Sequence, residues 1–331
     1  MKLSYINSAR GLAILMVILV HVFTLYNEAI GHPIVKILFY YGQMGVQLFF
    51  VASAYTLCLS FDNRKEESKS LIKFYIRRYF RIFPIFYLGI LIYYMLNTTF
   101  KEADQYTLGN VAANIFLIHG LIPSSISLVP GGWSIGTEIL FYLLFPFLHK
   151  FLFSGRLILK ASILVIICYL TAYGIDRNII NNTFWYFNII VQLPVFIAGM
   201  LYYKKEHALK FPYAVILWVV FTLLTLYLWQ HHLITLIPLS AAISFCGLLK
   251  ILEKSVTNHI VLQRIGVVSY SVYIIHWILP FYVLPKTASS LMLFAYCLMT
   301  LILSFLVALI LEKIIEKPFI KAGQRLILKI K

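Results

Sequence analysis

The run Arg10-Gly11-Leu12-Ala13-Ile14-Leu15-Met16-Val17-Ile18-Leu19-Val20-His21 decides the fold. It is apolar without alternation, and apolar residues extend it to about 9–29. A helix of about 20 such residues matches a ~30 Å hydrocarbon core. Inside such a span a central arginine costs ~2.5–3.5 kcal/mol on insertion scales unless it faces protein or water. His21 follows Arg10 by eleven residues, ~16 Å of helical rise. With Arg10 at one membrane face, His21 therefore lies near the midplane. An imidazole held there is by default a functional residue.

Working outward, the same character holds along the chain. Of 331 residues, 61% are hydrophobic and only 12% charged, with a mean hydropathy of +0.88. A soluble domain carries about 25% charged residues. The apolar runs are long and unalternating, which selects helices over a barrel. Ten spans emerge: about 9–29, 35–60, 74–96, 134–153, 157–175, 185–203, 211–229, 232–251, 267–284 and 289–312. The expected fold is all-α, a polytopic membrane helical bundle of about ten transmembrane helices forming one domain over 1–331. Residues 111–122 are too short for a span and read as a re-entrant or interfacial helix. The 23 tyrosines suit interfacial belts against membrane lipids.

Charge orients the bundle. With both termini in the cytoplasm and 97–133 wholly outside, 24 of the 28 Lys and Arg fall on the inner side. Making 111–122 a crossing would strand most of the later ones outside. The net charge of +16 is thus a topology signal, and nucleic acid is not an expected partner. Cys58, Cys168, Cys246 and Cys297 fall singly inside apolar runs, so no metal site or disulfide framework is read from them. The N-terminal run carries no small-residue cleavage site and reads as a retained signal anchor. The sequence has no internal repeat, and residues 63–73 form its only sizeable polar linker.

Four groups of residues break the apolar background. The first is Arg10 with His21. The second is Arg77-Arg78-Tyr79-Phe80-Arg81-Ile82-Phe83-Pro84 at the cytoplasmic start of the third span. Its three guanidiniums suit bidentate phosphate binding, although lipid headgroups would suit them too. The third is Gly131-Gly132-Trp133-Ser134-Ile135-Gly136-Thr137-Glu138, leading to Tyr142 and Pro146. Glu138 lies one turn into a span, where a carboxylate needs a partner or a cavity. Trp133 suits either an interfacial belt or stacking on a sugar ring. The fourth is Ser269-Tyr270-Ser271-Val272-Tyr273-Ile274-Ile275-His276-Trp277, where His276 is as readily a structural histidine as a functional one.

Joined by depth, these groups run from a cytoplasmic arginine cluster, through His21, to Glu138 near the outer face. That order suits an anionic donor held inside and an acceptor arriving outside. His21 is then a general base toward an acceptor hydroxyl, or a transient carrier of the transferred group.

These same residues, taken in order, resemble acyltransferase family 3 of membrane proteins. The resemblance rests on Arg10 and His21; on Gly45-Val46-Gln47-Leu48-Phe49-Phe50-Val51-Ala52-Ser53; and on Arg78-x-x-Arg81 with Pro84. It continues through Trp133-Ser134…Glu138…Phe141-Tyr142…Pro146, Ser269-Tyr270…Tyr273…His276 and Glu316-Lys317-Pro318-Phe319. It implies about ten helices and transfer of an acyl group, commonly acetyl from acetyl-CoA, to a hydroxyl of a glycan or lipid-linked saccharide. The expected catalytic residues are His21, Glu138 and Arg10, and the expected donor-binding residues Arg78, Arg81 and Arg77. Trp133, Ser134, Tyr142 and His276 are the expected acceptor contacts.

The chain departs from the family pattern in two motifs. It has Ser53-Ala54 where the family often has Ser-Gly, so helix approach there is expected to differ. It has Glu138-Ile139 where the family often has two glutamates, which concentrates the role on Glu138. No soluble domain is expected after the tenth span. The resemblance and topology place the protein in a bacterial plasma (inner) membrane. The other reading of a ten-span bundle with midplane ionisable groups is an exporter of a glycan or small solute, against which no matching pair of broken helices is foreseen.

Overall fold

The computed structural model describes residues 4–26, 32–100, 107–121, 127–255, 260–285 and 289–330, and within them every regular element is helical. The long helices are α1 (Ser4–Leu25), α2 (Pro33–Tyr41) running on into α3 (Gly45–Asp62), and α4 (Ser70–Phe100). After the short α5 (Leu108–Ile115) come α6 (Trp133–Phe153), α7 (Leu157–Ile175), α8 (Thr183–Phe187), α9 (Ile189–Lys205), α10 (Phe211–Gln230) and α11 (Ile237–Ser255). The chain closes with α12 (Ile260–Val267), α13 (Ser269–Ile275), α14 (Ser290–Leu311) and α15 (Lys317–Leu328). Residues 27–29 of the first predicted span, Ile122 of the short segment, and Lys2, Lys101, Lys286 and Lys331 of the charge pattern lie outside the described residues.

Among the described residues eight stretches are long and apolar enough to cross a membrane, and the bent pair α12–α13, taken as one span, makes a ninth. The sixth predicted span, 185–203, divides into α8 and α9. Asn188 causes the division: its side-chain oxygen accepts from the backbone N–H of Ile190 at 2.9 Å and so caps α9. The 17 residues of α9 rise ~26 Å, and the helix is largely buried among its neighbours.

The ninth span also differs from expectation. It begins at Ile260 and breaks at Val268, where the two halves meet at 63°. Ser269 assists the break by donating its hydroxyl to the Gly266 carbonyl at 2.9 Å, an alternative to the helical ladder. One broken helix is present among the described residues, without a matching partner. The described part of the short segment, residues 111–121, forms only the end of α5 and a single tight turn over His119–Leu121. That segment tucks against the bundle: the Tyr87 hydroxyl donates to the Ile115 carbonyl at 3.0 Å.

Helix α1 is packed by α3, α11, α12, α13 and α14, which places Arg10 and His21 in the interior. Its contact with α12 is backbone to backbone. A Cβ on Gly266 would lie 1.8 Å from the Asn7 carbonyl oxygen, and one on Gly11 would lie 2.2 Å from that of Leu262. Such small-residue contacts are how membrane helices approach closely without a hydrophobic driving force. The departure at Ala54 is absorbed on the other helix: Gly199 of α9 packs there, and a Cβ on it would lie 2.8 Å from the Ala54 Cβ.

Helix α4 spans 31 residues, ~46 Å, more than a hydrocarbon core requires. Its first turns carry Arg77, Arg78 and Arg81. The stretch Leu291–Leu328 is likewise overlong, and α15 lies along the start of α4 with Gly323 against Phe80. We call this end the basic face. A π turn over Glu312–Glu316 joins α14 to α15. Such bulges shift side chains out of the α-helical register and are frequent at functional sites.

Candidate active site

A cavity opens between α1, α3, α4, α6, α13 and the π turn, with about 820 Å³ of space free of protein atoms, its open mouth included. Arg10, Arg78 and Arg81 line it with Glu138 and Glu316. Three cations and two anions thus meet in a membrane-embedded space. Among the described residues none of the three arginines forms an ion pair.

Four of these charges are instead held by neutral groups. Arg10 donates Nη2–H to Thr56 Oγ1 at 2.9 Å. Arg78 lies 5.9 Å from the ring centre of Phe74 and 6.0 Å from that of Tyr142, and its buried Nε has no hydrogen-bond partner among the described residues. Cation–π contacts at that range hold a guanidinium without consuming its donors. Glu138 Oε1 accepts from Ser53 Oγ at 2.5 Å and from the Tyr142 hydroxyl at 2.5 Å. Glu316 accepts from Ser271 Oγ.

A second basin lies on the basic face, with about 540 Å³ of free space among Arg64, Arg77, Arg78, Arg81 and Gln324, its open mouth included. Arg77 is tied there to Glu67 and does not reach the cavity. Arg78 and Arg81 line both spaces and form the wall that the two share. The single motif Arg77-Arg78-x-x-Arg81 thus splits: one arginine on the outer basin, two on the shared wall.

At its far end the cavity is bounded by Tyr273 and Ser134. The Tyr273 hydroxyl donates to the Gly131 carbonyl at 2.9 Å and lies 2.8 Å from Ser134 Oγ. Gly131 is required twice here. Its φ is +75°, and a Cβ would lie 2.7 Å from the Tyr273 hydroxyl. The turn is braced from behind by His119, which donates Nε2–H to the Gly132 carbonyl at 3.0 Å. Burial holds the His119 imidazole below the ordinary histidine range.

His21 does not line the cavity. It is reached through the next turn of α13: its Nδ1 lies 2.7 Å from Nε2 of His276, whose Nδ1 lies 2.7 Å from the carbonyl oxygen of Tyr273. Trp277 packs at right angles on the His21 ring, 4.6 Å between centroids.

The structure therefore brings Arg10, Arg78, Arg81, Ser134, Glu138 and Tyr142 to one cavity. His276 is fully buried behind His21 and away from that cavity. Trp133 is also outside it, packed among Phe50, Tyr186 and Phe187. Ser53, Tyr270, Tyr273 and Glu316 line the cavity without having been singled out as site residues. The signal for Glu316 was its position in Glu316-Lys317-Pro318-Phe319; a glutamate beside a lysine near a helix end reads as a surface pair until the π turn rotates it inward.

Fold and site define a polytopic helical membrane protein with a polar interior beside a basic face. A family profile described as an Acyltransferase domain, that of acyltransferase family 3, matches residues 3–309, and the chain belongs to this family. It is a membrane acyltransferase. No curated protein and no solved structure matches it at a significant level.

Proposed function

We propose that the protein transfers an acetyl group from acetyl-CoA, bound at its basic face, to a hydroxyl of a glycan or lipid-linked saccharide at the opposite face. The observation that carries this reading is the shared position of Arg78 and Arg81 on the basin and the cavity. A donor with phosphates at one end and a slender uncharged arm at the other suits that pair of spaces. The phosphates gain bidentate partners among Arg64, Arg77, Arg78 and Arg81. Glu138 and Glu316 repel phosphate from the inner cavity and leave it to the thioester arm.

At the far end, His21 takes the proton of the acceptor hydroxyl while that oxygen bonds to the thioester carbonyl carbon. The C–S bond breaks, the sulfur leaves with the electron pair, and the imidazolium returns the proton to it. An ester and a free thiol result, and His21 is restored. In the two-step form His21 first carries the acyl group itself. Tyr273 and Ser134 stand between donor arm and base, so the hydroxyl contacts at Gly131 open during turnover. Arg10 and Glu138 fix the charge around the arm, and Ser134 and Tyr142 supply hydroxyls beside it. Trp133, on the far-face turn, offers an aromatic ring to the saccharide.

By the positive-inside rule the basic face is cytoplasmic, with both termini inside, in the plasma membrane of a bacterium. The catalytic unit is a single membrane domain over 1–331. The broken α12–α13 is the one feature that favours export of a glycan instead, since transporters build sites at such breaks; membership of an acyltransferase family weighs against it.

The test is deletion of the protein followed by mass analysis of the cell-surface glycan. Loss of one acetyl increment per repeat, restored by the wild-type chain, supports the reading. A full-length glycan with its acetyl groups intact overturns it, and a missing glycan supports export.

A further inference from the structure

An imidazole acting as base needs one particular nitrogen free. We infer that His276 sets which one: it holds His21 in the Nδ1–H form and leaves Nε2 of His21 to take the acceptor proton. His276 is on this account a positioning residue. The inference rests on the reading of His21 as base.

The proton positions follow from a chain of three groups. A carbonyl oxygen only accepts, so Nδ1 of His276, 2.7 Å from the Tyr273 oxygen, carries a proton. A neutral imidazole has one N–H, so Nε2 of His276 is an acceptor. It lies 2.7 Å from Nδ1 of His21, which therefore donates. His21 then has its single proton on Nδ1, and Nε2 keeps its lone pair.

The ring geometry agrees. The two centroids are 5.0 Å apart with planes 15° apart. With the nitrogens at 2.7 Å, the remainder is about one ring radius on each side. The rings thus meet edge to edge in nearly one plane, where nitrogen lone pairs point. Trp277, perpendicular to His21, holds that plane.

The reverse assignment would need a proton on both nitrogens of His276. That imidazolium would be fully buried, and among the described residues neither ring forms an ion pair. An unpaired buried charge is far costlier than the neutral chain. The local fold also explains why a histidine sits here. Helix α13 ends at Ile275 with His276 as its cap. Carbonyls of a last helical turn lack main-chain donors, and the His276 ring supplies one to Tyr273. Because Tyr273 also bounds the cavity, the base is tied to the same turn that closes off the donor.

The experiment uses the full chain in lipid nanodiscs with isotope-labelled histidine, read by nitrogen NMR, with His21 assigned by its loss in His21→Asn. At neutral pH the wild type should show His21 protonated on Nδ1 and bare on Nε2. His276→Gln places an amide oxygen where Nε2 was and should keep that form. His276→Leu should shift it or mix the two tautomers. Turnover of acetyl-CoA with glycan from the deletion strain should fall about 100-fold or more in His276→Leu, correct protonation of a general base being worth ~10²–10⁴. KM for acetyl-CoA should be unchanged, and His276→Gln should retain turnover within several-fold.

A wild-type His21 carrying its proton on Nε2 overturns the inference, and so does His276→Leu with full turnover. If His276→Leu does not fold, the wild-type spectrum and His276→Gln decide. The underlying reading fails separately: His21→Asn with undiminished transfer removes the base, whatever tautomer the spectrum shows.

Discussion

Arg78→Ala should weaken donor binding strongly without weakening the fold, and the structure gives the size of both effects. The guanidinium lies on the wall shared by basin and cavity and, among the described residues, forms no ion pair and has a buried Nε without a hydrogen-bond partner. Its stabilising contacts in the free protein are the rings of Phe74 and Tyr142, each about 6 Å away. Desolvated contacts of this kind are worth ~2 kcal/mol apiece, against a desolvation cost of several kcal/mol for the buried charge. Removal should therefore leave thermal stability equal or slightly higher. A hydrogen bond from a charged donor to a phosphate contributes ~1.5–3 kcal/mol. That corresponds to ~10- to 150-fold in Kd. Arg78→Lys keeps the charge and loses the fork, so it should fall between. The assay is calorimetric titration of the nanodisc-embedded protein with acetyl-CoA, beside thermal unfolding of the same samples. Unchanged Kd in Arg78→Ala, or a Tm lowered by many degrees with binding lost only in proportion, would refute the assignment.

Three other outcomes are expected. Glu138→Gln keeps the shape that Ser53 and Tyr142 bond to but removes the charge; acyl transfer should fall at least 10-fold, in line with the worth of charge-assisted bonds, while acetyl-CoA binding stays equal or tightens, and a weakened Kd in that variant would contradict the carboxylate's place. Gly266→Ala forces a methyl against the Asn7 carbonyl, where a Cβ would sit at 1.8 Å; with backbone on both sides it should cost ~3 kcal/mol or more, seen as a lower Tm, and an unchanged Tm would deny the close α1–α12 contact. Asp176, in the turn after α7, accepts from the backbone N–H of Asn178 and from the Trp185 and Asn182 side chains, which lowers its pKa below the usual aspartate range. Its stabilising effect is therefore present above the ordinary aspartate pKa and lost as pH falls through the lowered one, so wild type and Asp176→Asn should differ in Tm at neutral pH and converge in acid; a difference independent of pH would show that charge is not what matters there.

The bundle was legible because burying polar groups in hydrocarbon is so costly that runs of about 20 apolar residues admit few alternatives. The same argument marked Arg10, His21 and Glu138, each an expensive group in an apolar setting. What hydropathy does not carry is where a helix stops without becoming polar. Asn188 divides one apolar run by capping, and Ser269 helps break another at Val268; both runs stay apolar across the break. Pairings over long sequence distance were equally silent. His276 lies 255 residues from His21, and nothing in Ser269-Tyr270…His276 says that its ring faces another imidazole. Glu316 needed the π turn to be seen. Trp133 was read from its position alone, which does not fix the face its ring presents.

The central claim is that His21 receives an acceptor proton while an acyl group crosses from the basic face. The most direct measurement supplies radiolabelled acetyl-CoA to inverted membrane vesicles from the deletion strain carrying either the wild-type chain or His21→Ala at equal levels. Label should enter the glycan with the wild type and not with His21→Ala. Label in the glycan at wild-type rate from His21→Ala vesicles would contradict the claim.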